Sequence, residues 1–199
     1  MTTDDDIMDA TFAALCKHGY ADLTMQSIAD EFDKSKSLLH YHYDSKEDLI
    51  VTFLDHLLEN FLDEFENDSD ADPLAQLQWM AEIVVGADEE GTDDIHVALL
   101  GLRAQGPYDG AIREQLVRND RHIRDLIADL VRTGIEQGQF REDIDPEQFA
   151  ALFRSAIEGA QSHEVILGEE APTAVAIAGI EELLLDELLV DEAREGPTA

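Results

Sequence analysis

The chain has 199 residues, 46 acidic against 13 basic, for a formal net charge of -33, and 44% of its residues are hydrophobic. That composition supplies a packed core for one large domain or two small ones. No apolar run reaches the roughly 18 residues of a membrane span, the acidic start Asp4-Asp5-Asp6 is the reverse of a signal peptide, and the single cysteine, Cys16, leaves neither an internal disulfide nor a CxxC metal site. These features point to a soluble cytoplasmic protein.

In chain order, a first helix places Met8, Phe12, Leu15 and Cys16 on one face, so Cys16 reads as core. A short helix follows: Thr24 is a good N-cap, and Met25, Ile28, Ala29 and Phe32 recur at i, i+3, i+4 and i+7. The turn Asp33-Lys34 ends it. Ser35 can cap the next helix, in which Leu39 faces the core while Lys36, Ser37, His40 and Tyr41 are left on the outer face. Another begins at Ser45, where Ser45-Lys46-Glu47-Asp48 approximates a capping box with Asp in place of Glu or Gln. All the lysines, Lys17, Lys34, Lys36 and Lys46, lie in this part of the chain, and residues 34–46 hold three lysines and two histidines against one aspartate. Two short helices around a tight turn, the second polar and basic, form the helix-turn-helix arrangement that sets a recognition helix in the major groove of DNA.

This segment resembles the DNA-binding domain of the TetR family of transcriptional regulators. The matching pieces are Lys17-His18-Gly19-Tyr20 closing the first helix, then Thr24-Met25-Gln26-Ser27-Ile28-Ala29, then Ser35-Lys36-Ser37-Leu38-Leu39 running into His40-Tyr41-His42-Tyr43-Asp44-Ser45-Lys46-Glu47-Asp48-Leu49. The family usually has Gly and Val where this chain has Asp33 and Lys34, Tyr at His40 and Phe at Tyr43. Asp33 can adopt the left-handed geometry of a turn glycine, less readily than glycine does. The resemblance implies DNA contacts from Thr24, Gln26, Lys34, Ser35, Lys36, Ser37, Leu38, His40, Tyr41 and Lys46. The lysines and His40 suit phosphates, the other polar groups suit hydrogen bonds, and Leu38 suits a thymine methyl.

The acidity needs a separate explanation, because residues 1–50 carry 4 lysines against 11 acids, a net of -7. One reading is a protein that does not touch DNA. The other is adaptation to molar salt, where an acidic, lysine-poor surface stays hydrated while its self-repulsion is screened over a Debye length of about 3 Å. Acids spread through every segment, and 9 arginines against only 4 lysines, favour the second and resemble the composition of an extremely halophilic archaeon. Three phosphate-neutralising lysines per subunit would give a dimer a slope near about -5 in log affinity against log salt, so in molar salt polar and apolar contacts must carry more of the binding.

The rest of the chain is helical in pattern, with no period-2 stretch and no internal repeat. Leu49, Ile50, Phe53, Leu54, Leu57, Leu58, Phe61, Leu62 and Phe65 form a broad stripe on a helix over residues 45–66. A helix with Trp79, Met80 and Ile83 follows a loop over 67–73. The loop 88–94 precedes a helix through Leu99, Leu100 and Arg103, which Gly106-Pro107 breaks. A long helix carries Ile112, Leu116, Ile123, Ile127, Leu130 and Ile135, with Gly138 as its C-cap. Helices over 146–167 and 173–193 are separated by residues 168–172. The last one, with Ile177, Ile180, Leu183, Leu184, Leu185, Leu188 and Leu189, is too apolar to be solvated on all sides.

The stretch from Gly138-Gln139-Phe140 through Asp145-Pro146-Glu147-Gln148-Phe149 to Ile157-Glu158-Gly159 is similar to the start of the eighth helix in many TetR-family C-terminal domains, some of them choline-responsive. The expected fold is all-α: a helix-turn-helix DNA-binding domain over residues 1–48, a helical effector-binding and dimerisation domain over 49–193, and a flexible tail over 194–199. The resemblance implies a homodimer through the last two helices, assigned to Phe153, Ile157, Leu184 and Leu188, and a cavity among the middle helices. Trp79, Met80, Ile83, Leu100, Arg103, Phe149 and Phe153 are its candidate lining, equally readable as plain core. Arg103 and Arg154 stand amid apolar residues and suit either an anionic effector or pairing with the abundant acids.

His40-Tyr41-His42 with Asp44 is rejected as a metal site because HxH on a helix points the imidazoles apart. His163, beside Glu158 and Glu164, reads as a surface or satisfied histidine. GxSxG, GxGxxG, P-loop and HExxH motifs are all missing, so neither an enzyme nor a cofactor is expected. The leading reading is a ligand-responsive repressor that binds a palindromic operator as a homodimer and is released by a small, mainly apolar effector. The alternative is a dimeric effector-binding or protein-interaction module without DNA affinity.

Overall fold

The computed structural model describes residues 3–32, 36–67, 72–83 and 92–190, with side chains except at positions 3, 36, 67, 92 and 93. Among these residues the chain is helical and contains no strand. The helices are α1 (Thr3–Asp22), α2 (Met25–Asp30), α3 (Lys36–His42), α4 (Lys46–Asn67), α5 (Pro73–Glu82), α6 (Thr92–Arg103), α7 (Gly110–Glu136), α8 (Pro146–Leu167) and α9 (Thr173–Ile180), the last continuing through a π-helical turn (Glu181–Leu185) into α10 (Asp186–Leu188). Among the described residues no helix is long and apolar enough to cross a membrane.

Local chemistry sets the helix boundaries. Gly19 adopts φ 66°, ψ 167°, so regular helix in α1 stops just before it. Thr24 caps α2 through a reciprocal box: its hydroxyl accepts the Ser27 N–H while the Ser27 hydroxyl accepts the Thr24 N–H. At the start of α4, Ser45 Oγ accepts the Asp48 N–H at 3.1 Å, but the Asp48 carboxylate reaches back to the Asp44 N–H, one residue earlier than a capping box requires. Asp72 and Asp145 cap α5 and α8, each with proline in the first turn. At the other end of α7, Gly138 (φ 72°) takes the left-handed position, with Gln139 N–H donating to Gly134 O and Gly138 N–H to Ile135 O. The turns around residues 33–35, most of the expected loops over 67–73 and 88–94, and the tail over 194–199 lie outside the described residues.

The chain divides into two compact units, Met1–Asp63 with Glu90–Asn119, and Glu64–Glu89 with Asp120–Ala199. The first unit therefore packs more chain with the reading head than the domain read over residues 1–48. Its core joins Ile7, Met8 and Leu15 of α1 with Ile28 of α2 and Leu39 of α3. Leu49 and Phe53 of α4, Leu102 of α6 and Ile112 of α7 complete it. Apolar periodicity did not reveal a second tie in this unit. Gln115, almost wholly buried, donates to Asp55 Oδ1 and Asn119 Oδ1 at 2.8 Å, and Asn119 Nδ2 donates to the Leu54 carbonyl at 2.7 Å. Gln115 and Asn119 interrupt the stripe of Ile112, Leu116 and Ile123 at helical spacing. That interruption was the available signal.

In the second unit, Phe149, Phe153 and Ile157 of α8, Leu77 and Met80 of α5, and Ile127 and Val131 of α7 are buried. The final helix is shorter than the expected 173–193. It ends at Leu188, because Leu189 turns extended and pairs with Phe140, with Arg141 N–H donating to Leu188 O and Val190 N–H to Gln139 O. A side chain at Gly134 would run into the Phe140 ring, so glycine is required where this segment crosses α7.

Candidate nucleic-acid interface

The short helix α3 has one buried side and one open side. Leu39 is fully buried in the first unit, while Ser37 and His40 are exposed and Tyr41 is 84% exposed. An aromatic ring left that open on a helix lies outside the core, which fits a group held ready for a partner. Leu38 is half-buried against the core, so only part of it remains for a base methyl. Tyr43 is drawn into the core, and burial there pushes its hydroxyl pKa up. His42, between the rings of Tyr41 and Tyr43, lies 3.7 Å from the Asp4 carboxylate.

The remaining expected contacts fare differently. Lys34 and Ser35 lie outside the described residues, and Lys36 is described by its backbone alone. The Thr24 hydroxyl is committed to capping α2, and Gln26 Nε2 donates to Asp30 at 2.7 Å. Lys46 Nζ donates to the Tyr20 carbonyl at 3.4 Å and sits 4.2 Å over the Tyr20 ring, a cation–π contact joining α4 to the end of α1. Lys17 is bound to Glu31 at 2.6 Å, and that hydrogen bond raises the lysine pKa. Charge on this face is therefore less available than the lysine count suggests.

The effector candidates are divided between the units. Leu100 and Arg103 are half-buried in the first. Trp79, Met80, Ile83, Phe149 and Phe153 belong to the second, where Trp79 lies 6.0 Å from Phe65 and Phe149 stacks on Phe153 at 5.5 Å. Of the residues assigned to a dimer seam, Phe153, Ile157 and Leu188 are already buried by the single chain. Only Leu184, half-buried, keeps surface for a partner. Among the described residues, no group of three or more His, Cys, Asp or Glu side chains is arranged to hold a metal.

Comparison with known proteins places this helix-turn-helix. Residues 7–52 match the family model of bacterial regulatory proteins of the tetR family, and residues 106–180 match the tetracyclin repressor-like C-terminal domain. A TetR transcription regulator from Haloarcula marismortui is 37% identical, with a TM-score of 0.83 over 94% of this chain and 98% of that one. The chain belongs to the TetR family of transcriptional regulators. Membership makes it a DNA-binding regulator and not an enzyme. Two solved structures of lower identity share the fold. A transcriptional regulator from Saccharomonospora viridis in complex with choline is 20% identical, with a TM-score of 0.79 over 94% of this chain and 97% of that one. FadR from Bacillus subtilis in complex with stearoyl-CoA is 16% identical, with a TM-score of 0.76 over 92% and 98%.

Proposed function

We propose that this TetR-family regulator is a homodimeric repressor that reads a near-palindromic operator with α2 and α3 of each copy and leaves it when a small, mainly apolar effector binds the second unit. The observation that carries the DNA reading is the open face of α3, Ser37, His40 and Tyr41, above a buried Leu39. The concentration of bulky apolar side chains in the second unit, Trp79, Met80, Phe149 and Phe153, supports an apolar effector. Relatives of the same fold bound to choline and to stearoyl-CoA support ligand binding without choosing the ligand.

A dimer is supported by what the second unit leaves uncovered. On α8, Leu152, Gly159 and Ile166 are exposed on one face, with Ala156 half-buried between them; on α9 and its π turn, Val175 is 74% and Leu183 68% exposed. Gly159 and Gly179 sit inside these helices at a cost of about 1 kcal/mol each relative to alanine, yet a Cβ at either would meet nothing within 4 Å among the described residues. Small residues between exposed apolar ones suit close approach by a second copy's helices, and a symmetric contact implies a symmetric operator.

The test is a gel shift with the upstream intergenic DNA at molar KCl, alongside light scattering of the free protein. A dimer that shifts this DNA and is released in step with a change in Trp79 emission is the expected result. An effector must favour the released state by about 1.4 kcal/mol for each tenfold loss of operator affinity. A dimer that shifts no DNA at any salt would favour the other reading, an effector-binding module without DNA affinity. That reading draws on the internal engagement of Lys17 and Lys46.

A further inference from the structure

We propose that the effector carries an anionic head group, a carboxylate or a phosphate, on its apolar body, and that Arg154 receives it. The inference rests on reading the second unit as the effector-binding part. Arg154 lies on α8 directly after the fully buried Phe153, which stacks on Phe149, and its side chain is only 15% exposed. Its Nε is out of reach of solvent and has no hydrogen-bond partner. The facing carboxylates are near enough to balance its charge but too far to accept hydrogen bonds: Asp120 Oδ1 is 3.7 Å from Nε, and Glu158 Oε2 is 3.6 Å from a terminal nitrogen.

A guanidinium always carries its charge and presents five N–H donors in a flat fork. Leaving such a donor buried and unpaired is costly, and an arrangement that does so gains when an oxyanion with two acceptor atoms arrives. The same cluster is less suited to a cationic ligand, because its acids are engaged. Asp120 Oδ2 accepts from Arg124 Nε at 2.8 Å, and Glu158 also has interactions of its own. In molar salt the net charge of -33 does little to repel the incoming anion, since a Debye length of about 3 Å leaves only contact interactions in play. Selection then comes from hydrogen-bond geometry at Arg154 and from the area of the apolar body.

The experiment uses the full-length protein in molar KCl with amphiphiles of matched chain length, octyl to hexadecyl, below their micelle concentrations. The head group is carboxylate, phosphate, alcohol or trimethylammonium, and the readouts are operator release and Trp79 emission. One or both anions should act at concentrations about tenfold lower than the alcohol, and which anion is preferred identifies the head group. Arg154→Gln should abolish that preference, and Arg154→Lys should keep part of it. An alcohol as effective as the anions would overturn the head-group inference and leave the apolar effector standing. A preference for trimethylammonium would overturn it in favour of recognition by Asp120 and Glu158. No response from any member would overturn both readings. Should Arg154→Gln fail to fold by circular dichroism, the wild-type head-group series decides alone.

Discussion

Tyr41 and Leu39 are two residues apart on one short helix, and their opposite fates set the chemistry of α3. Leu39 holds the helix to the core at 0% exposure, and Tyr41 contributes nothing to that core. Replacing Tyr41 by alanine should therefore leave helix content and melting unchanged while operator binding weakens by about 1–3 kcal/mol, measured by fluorescence anisotropy. Unchanged operator affinity would remove Tyr41 from the reading face. Asp72 illustrates a different role. Its carboxylate accepts hydrogen bonds from Gln139 and from the N–H groups of Ala75 and Leu74, and the Gln139 contact, ahead of the backbone ones, holds its pKa below the usual range. A depressed folded pKa contributes stability above the unfolded value near about 4 and loses it as pH falls through the folded one. Asp72→Ala should cost about 1 kcal/mol at neutral pH, and its melting gap to wild type should shrink below about pH 4. A gap that persists at low pH would show that the carboxylate charge is not what holds the end of α5.

At the scale of elements, α8 has two faces with separate tasks. Its inner face carries Phe153 and Ile157, so Phe153→Ala should destabilise each protomer by about 3–5 kcal/mol in denaturant melts, whether or not the protein dimerises. The outer faces of α8 and α9 carry Leu152, Val175 and Leu183. A charge there should act on assembly and not on folding: Val175→Glu is expected to give a helical monomer by light scattering at molar salt. If Val175→Glu stays dimeric, the seam lies elsewhere. The π turn at Glu181–Leu185 matters to this division, since one extra residue in a turn shifts which side chains after it face inward, burying Leu185 and Leu188 while Leu183 stays out.

For the whole molecule, charge is the governing quantity. Of the three lysines between residues 34 and 46, Lys46 is held on Tyr20, which leaves fewer than three free cations per subunit for phosphates. The slope of log operator affinity against log KCl should be shallower than about -5. A slope of about -5 or steeper would mark ordinary electrostatic binding and count against adaptation to molar salt. The unfolding midpoint should also rise as KCl screens the net -33, and a midpoint insensitive to salt would count against it equally.

The division between sequence and tertiary structure follows from the range of the interactions involved. Capping residues, helical periodicity and turn glycines act over a few positions. Hence Thr24, Gly138, the start of α8 at Pro146 and the burial of Leu39 were legible from the chain alone, as was the helix-turn-helix to which Thr24 and Leu39 belong. The family resemblance was legible for the same reason, because its motif is contiguous. What periodicity cannot reveal is which of two apolar faces meets the chain's own core. Phe153, Ile157 and Leu188, read from sequence as a seam between copies, are buried within the single chain, while Leu152, Val175 and Leu183 are exposed. Contacts between residues far apart in sequence were equally hidden: Leu189 pairing with Phe140 to end the last helix, Gln115 reaching Asp55, and Arg154 facing Asp120 with no hydrogen bond donated by its Nε. Each depends on where a distant backbone comes to rest, which only the packed tertiary structure decides.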